Sequence, residues 1–80
     1  MGKSVFSKEY NAFLRQLKKS RKEAGLTQEQ LAESIGQTQS FVSKCERGER
    51  RIDVVELRKL CQALGISFVS FVQKLDRDLK

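Results

Sequence analysis

The sequence predicts an all-α fold made of five short helices. No proline interrupts the 80 residues, so helices are permitted throughout the chain. Glycine is typical of the position that follows a helix C-terminus, and four internal glycines separate apolar runs of helical period. These are Gly25, Gly36, Gly48 and Gly65. β-Branched residues nowhere alternate with polar ones over a useful length, which argues against strands.

The length of the chain predicts a single domain over residues 1–80 with one modest core. We expect that core to lie within about residues 10–72 and the last helix to extend to about residue 79. A domain of this size has little room for an enclosed catalytic pocket.

Polar residues that cap helix N-termini precede each apolar run. The predicted caps are Ser7, Thr27, Thr38, Asp53 and Ser67. Two of them begin capping boxes, in which the fourth residue reaches back to the cap amide: Thr27 with Gln30, and Asp53 with Glu56. The helices are expected to end near residues 24, 35, 47, 64 and 79.

Apolar residues recur on one face of each predicted helix and define the expected core. They are Phe13, Leu14, Leu17, Leu31, Ala32, Ile35, Val42, Cys45, Val55, Leu57, Leu60, Cys61 and Leu64. The two cysteines are expected to be small buried thiols rather than a disulfide. With no histidine and no CxxC pair, a metal site is not expected, nor is a cofactor.

The last predicted helix carries an apolar stripe that has two interpretations. The stripe consists of Phe68, Phe71, Val72, Leu75 and Leu79. The stripe closes the core of the domain, or it forms the seam of a homodimer. The second interpretation rests on Leu75 and Leu79, which lie beyond the part of the helix that a five-helix core needs.

The charge balance suits a polyanionic partner. The chain has 16 basic and 10 acidic residues, a formal charge of +6, and the first predicted helix carries most of the excess. No apolar run is long enough to span a bilayer and no secretory signal is seen, so a cytoplasmic protein without membrane contact is expected. The absence of histidine, of clustered carboxylates and of a nucleotide-binding glycine loop argues against an enzyme.

The second and third predicted helices form a pair joined by a glycine-containing turn. This is the geometry of a DNA-binding helix pair, although any helical hairpin could share it. The segments Gly25–Ala32, Ile35–Gly36, Ser43–Gly48 and Ala63–Ser67 resemble the Cro and phage-repressor (XRE-type) helix-turn-helix family. The resemblance covers about residues 10–72.

The resemblance implies a compact, repressor-like domain that binds double-stranded DNA through the major groove and regulates transcription. The N-terminal end of the third helix would read bases, through Gln39, Ser40, Ser43 and Lys44. Gln39 suits adenine N6 and N7 in a bidentate pair, whereas Lys44 suits either guanine or a phosphate. Phe41 contacts a thymine methyl or, as we favour, folds back against the second helix.

The resemblance and simple electrostatics together imply contacts to the DNA backbone. The expected phosphate contacts are Gln28, Thr38, Arg47, Arg50 and Arg51. Thr38 is also explained as a plain helix cap, and the arginines as a solvated loop. Family members with an arginine and a glutamate at the positions of Arg21 and Glu46 join the first and third helices by an ion pair. The resemblance therefore implies a structural ion pair between Arg21 and Glu46.

Two residues depart from the family pattern, and some alternatives stay open. Gln37 and Ser20 stand where apolar residues are common, which puts local packing in doubt. The size of the chain resembles both phage-type repressors and the controller proteins of restriction-modification systems. A homodimer on a palindromic operator, with no small-molecule ligand, is the expected form. The rival interpretation is a protein-interaction module, such as an antitoxin or adaptor domain, on the same fold.

Overall fold

Five α-helices make up residues 7–80, the part of the chain that the computed structural model describes. They are α1 (Lys8–Glu23), α2 (Gln28–Ser34), α3 (Gln39–Arg47), α4 (Val54–Leu64) and α5 (Phe68–Asp78). No strand occurs within that range, which confirms the predicted fold class.

Each helix begins at its predicted cap. The side chains of Ser7, Thr27, Thr38, Asp53 and Ser67 each accept a hydrogen bond from the backbone amide three residues on. Both capping boxes are complete. The Gln30 side chain accepts from the Thr27 amide at 2.9 Å, and the Glu56 carboxylate accepts from the Asp53 amide at 3.0 Å.

The turn between α2 and α3 depends on Gly36. Its φ of +70° lies in the left-handed region, which only glycine adopts without strain. The turn is closed by the Gln37 amide, which donates to the Ala32 carbonyl at 2.8 Å. The angle between the two helices is therefore set locally, by one glycine and the backbone bonds around it.

All five helices contribute to one core. Leu17, Leu31 and Cys61 lie at its centre and are at most 1% exposed. The other buried apolar residues are Phe13, Leu14, Ala32, Val42, Cys45, Leu57, Leu60, Leu64 and Phe71. Both cysteines are free thiols, and burial raises their pKa above the ordinary value.

The expectation that Val55 belongs to the core is wrong, because its side chain is 60% exposed. Leu57, Leu60 and Leu64 fix the inner face of α4. Val55 precedes Leu57 by two residues, a rotation of about 200° around the helix, and so faces the opposite way. Ile35, which was also expected in the core, is only partly buried but packs against it.

Part of the apolar stripe of α5 packs in the core, and part of it is exposed. Phe71 is 3% exposed and meets the Phe13 ring edge to face, with the ring centroids 6.0 Å apart. Phe68 and Leu75 are partly buried against the same core. Only Val72 and Leu79 keep substantial exposure, 41% each. Phe71 thus has almost no surface to offer a second copy, which removes it from the expected seam.

Candidate nucleic-acid interface

The polar side chains of α3 lie on its outer face, because two buried side chains hold its inner face against the core. Val42 and Cys45 are 2% and 3% exposed and hold the helix against the core. The opposite arc spans about 140° of the helix. It carries Gln39, Ser40, Ser43, Lys44 and Arg47. All of these are exposed except Ser43, which is partly buried. The four residues expected to read bases are therefore on one face.

A buried ion pair joins α1 to the end of α3. The Arg21 Nε and Nη2 groups donate to the two oxygens of Glu46 at 2.6 and 3.1 Å. The remaining terminal nitrogen of Arg21, Nη1, donates to the Leu26 carbonyl at 2.8 Å. The two side chains are 9% and 4% exposed, so the charges lie almost out of water and compensate each other.

This ion pair continues into the helix pair through two glutamines. The Gln28 amide group donates from Nε2 to Glu46 Oε1 at 2.9 Å. Gln28 Oε1 in turn accepts from Gln39 Nε2 at 2.7 Å. A continuous hydrogen-bonded network thus runs from Arg21 through Glu46 and Gln28 to Gln39, the first residue of α3. We call these four residues the reading network.

The orientation of the Gln39 amide follows from this network. Because Gln28 Nε2 donates to a carboxylate, its oxygen must face Gln39, and Gln39 must present Nε2 to it. Within residues 7–80, Gln39 then keeps Oε1 and one N–H without a hydrogen-bond partner. The family resemblance that led to the Arg21–Glu46 expectation did not extend to the two glutamine bonds, which join residues 18 and 11 positions apart.

Farther along α3, Arg47 orders the end of the polar face. Its Nη1 donates to the Ser43 hydroxyl at 2.6 Å, and its Nε donates to Glu49 at 2.7 Å. The ion pair is more than half exposed on both sides. The Glu49 hydrogen bond raises the pKa of Arg47, and Arg47 lowers the pKa of the Glu49 carboxyl. The Ser43 hydroxyl is thereby held as an acceptor toward Arg47.

Arg50 already has an anionic partner inside the protein. Its two terminal nitrogens donate to the carboxylate of Glu56 at 3.0 and 2.7 Å, and this hydrogen bonding lowers the pKa of Glu56. The guanidinium also lies over the Phe41 ring, 4.6 Å from its centroid. No pattern in the sequence indicates the ion pair between Arg50 and Glu56. Arg51 lies over the Tyr10 ring at the same distance, 4.6 Å.

Phe41 packs inward, as the favoured interpretation expects. It is partly buried against the core and lines a pocket of about 110 Å³ with Gln37, Ile35 and Ile52. Gln37, one of the two departures from the family pattern, is exposed beside this pocket, and Ser20 is partly buried. Thr38 Oγ1 accepts from the Phe41 amide at 3.1 Å, which is the geometry of a helix cap.

Two other features bear on the kind of site. Among residues 7–80, no group of three or more histidine, cysteine or acidic side chains is arranged to hold a metal ion. No helix in this part of the chain is long and apolar enough to cross a membrane.

Comparison with known proteins gives consistent results. A helix-turn-helix family model matches residues 17–71, more than half of the chain. The HTH-type transcriptional regulator y4dJ of Sinorhizobium fredii is 45% identical over 56 residues, which are 70% of this chain and 73% of that protein. An XRE-family like protein from Pseudomonas syringae pv. tomato superposes with a TM-score of 0.85 at 40% identity, covering 90% of this chain and 88% of that one.

The wild-type restriction-modification controller protein C.Esp1396I superposes with a TM-score of 0.82 at 28% identity, over 92% of this chain and 96% of that one. The residues matched by the family model include the whole reading network, from Arg21 to Glu46.

Proposed function

Because the chain belongs to the helix-turn-helix family of DNA-binding transcriptional regulators, we propose that α3 enters the major groove of a specific DNA site and reads it chiefly through Gln39. The observation that carries this proposal is the state of the Gln39 amide. Gln28 occupies one N–H, and in the part of the chain that the structure describes the carbonyl oxygen and the other N–H have no partner. One acceptor and one donor are the pair that adenine N6 and N7 require.

The reading network prepares this contact before DNA arrives. A free glutamine side chain loses rotamer freedom when it binds, and an amide can present either edge. The hydrogen bond from Gln39 to Gln28 restricts the Gln39 rotamer and selects one orientation of its amide before DNA binds. Ser40, Ser43 and Lys44 lie on the same arc and are proposed to contact neighbouring base edges, with Lys44 also within the reach of a phosphate.

The phosphate contacts fix the register of the protein on DNA without reading its sequence. We propose Thr38, Arg47 and Arg51 for this role, together with the remaining amide N–H of Gln28. We expect Arg50 to join them by exchanging its Glu56 carboxylate for a phosphate, since both of its terminal nitrogens donate to that carboxylate.

We further propose a homodimer on a palindromic operator. One helix in the major groove contacts only a few base pairs, and two copies related by a two-fold axis would address half-sites about 34 Å apart. Exposed apolar side chains are available for such a seam on α4 and α5. They are Val54, Val55, Val69, Val72 and Leu79. The similarity to a restriction-modification controller protein favours a regulator of that type or a small repressor.

This function needs neither catalysis nor a cofactor, and we infer that the protein acts in the cytoplasm. It is a single domain in this proposal, with DNA rather than a small molecule as its ligand. Binding through several phosphates makes its affinity for DNA fall steeply with salt. An apolar protein interface, as the rival antitoxin or adaptor interpretation requires, lacks that dependence.

The direct test selects binding sites from random DNA and then measures the affinity of Gln39→Ala for the selected site. Losing a bidentate base contact is expected to cost about 1 to 3 kcal/mol and to abolish the preference at one base pair. Gln62→Ala, an exposed glutamine on α4, is the matched control and should bind like the unmodified protein. Unchanged affinity of Gln39→Ala for the selected site would exclude Gln39 from base reading.

A further inference from the structure

A second polar region lies between α1 and α5 and takes no part in the proposed DNA contact. It is a cleft of about 340 Å³ lined by Ala12, Arg15, Gln16, Lys19, Lys74 and Asp78. On α1, Gln16 faces this cleft and Arg21 faces α3, and the two positions are about 140° apart around the helix. The cleft is therefore on a different side of the domain from the reading network.

The cations of this region lack partners. Arg15 and Lys19 are one helical turn apart on α1, the next pair on that face is Lys18 and Lys22, and Lys74 faces them from α5. Within residues 7–80, none of these five side chains makes an ion pair or a hydrogen bond. Like charges one turn apart repel each other and weaken a helix. An anionic partner would relieve that repulsion.

The wall of the cleft contains a half-satisfied buried amide. Gln16 is 7% exposed, and its Nε2 donates to the Phe71 carbonyl at 2.8 Å. Since a carbonyl only accepts, this bond fixes the orientation of the amide and leaves Oε1 on the other side. Gln16 Oε1 is buried and has no hydrogen-bond partner in the described part of the chain. It requires an N–H or O–H donor.

We propose that this cleft binds an acidic segment of a partner protein. Carboxylates of the segment would pair with Arg15, Lys19 and Lys74, and a backbone N–H would donate to Gln16 Oε1 once the flexible lysine side chains shift. A DNA backbone supplies the negative charge but offers only acceptors, so it leaves Gln16 unsatisfied. A peptide supplies both groups. The regulator would then hold DNA on α3 and a protein partner on the opposite flank of α1.

The test uses the full chain and a short fluorescent peptide of alternating glutamate and glycine, at low salt. The same peptide with glutamine in place of glutamate should not bind. Lys74→Glu is expected to weaken binding of the acidic peptide about fivefold, because it removes one attraction and adds one repulsion. Lys59→Glu makes the same charge change on exposed α4 and should weaken it by less than about twofold. No binding of the acidic peptide, or equal loss in the two variants, would overturn the proposal.

Two further measurements separate this proposal from DNA binding and from a purely structural role. Affinity of Lys74→Glu for the selected operator should equal that of Lys59→Glu, and a loss confined to DNA would instead identify the cleft as a nucleic-acid surface and overturn the proposal. Gln16→Met keeps the volume of the side chain and removes both the orphaned acceptor and the donor to the Phe71 carbonyl. These two effects on stability oppose each other, so the melting temperature of the variant is expected to change little. Its affinity for the acidic peptide should fall, and unchanged affinity would contradict the role of Gln16.

Discussion

Two polar regions lie on different sides of α1, and they differ in how many of their polar groups have a partner within the protein. On the α3 side, Arg21 uses all three guanidinium nitrogens, and Glu46 uses both oxygens. On the α5 side, Gln16 has one orphaned oxygen and Arg15 has no partner in the described structure. The same helix thus borders one region whose polar groups are paired within the protein and one region whose polar groups are not.

The two regions are suited to different tasks. Complete internal pairing holds side chains in one geometry, which is what base reading demands, because a wrong edge of the Gln39 amide would favour a wrong base. Charges without an ion-pair partner are suited to attracting an oppositely charged molecule, since no group of the free protein neutralises them. Substitutions on the two sides of α1 can test that contrast.

Arg21→Ala and Arg15→Ala compare the same substitution on the two sides of α1. Removing Arg21 leaves the nearly buried Glu46 charge uncompensated and should cost about 3 to 5 kcal/mol in the free energy of unfolding. Removing the exposed Arg15 relieves repulsion with Lys19, so stability should stay the same or rise slightly. Denaturant unfolding measures both. An Arg21→Ala variant as stable as the unmodified protein would show that the paired side is not needed for folding.

Gly36→Ala and Gly65→Ala test whether the turn between α2 and α3 serves reading as well as folding. Both glycines have φ near +70°, and an added Cβ meets nothing within 4 Å at either position. The cost of each should therefore be backbone strain alone, about 1 to 2 kcal/mol of unfolding free energy. Only Gly36 sets the placement of α3, so only Gly36→Ala should also weaken operator binding by the folded protein. Equal operator affinities in the two variants would mean that the turn has no part in reading.

Glu56→Gln tests whether Arg50 is held back from DNA. Glutamine still completes a capping box with Asp53, so α4 should keep its N-terminus. The substitution removes the charge that holds Arg50, and we expect affinity for all DNA sequences to rise about two- to fivefold, with a salt dependence steeper by up to about one unit. Fluorescence titration against operator and unrelated duplexes at several salt concentrations measures this. Unchanged affinity for both duplexes would place Arg50 outside the interface.

The parts of the fold that the sequence predicted well are those that depend on neighbours in the chain. Ser7, Thr27 and Asp53 cap helices through bonds to amides three residues away, and such signals are legible in a single sequence. Val55 was misassigned because an apolar residue at the start of a helix fits more than one face until the inner face is known.

The parts that could not be predicted depend on tertiary placement. Gln16 donates to a carbonyl 55 residues away, and nothing in its neighbourhood in the sequence marks it as buried. The Arg50 bond to Glu56 similarly needs the path of the loop between α3 and α4. The Arg21–Glu46 expectation came from the family resemblance, whereas its extension through Gln28 to Gln39 emerged only from the structure.

A double-mutant cycle measures whether Gln28 prepares Gln39 to read DNA. Operator affinity is measured for the unmodified protein, Gln28→Ala, Gln39→Ala and the double variant. Because the two side chains share a hydrogen bond, we expect a coupling free energy of about 1 kcal/mol, so that the double variant loses less affinity than the sum of the two single losses. Losses that simply add, with no coupling between the two glutamines, would contradict the account.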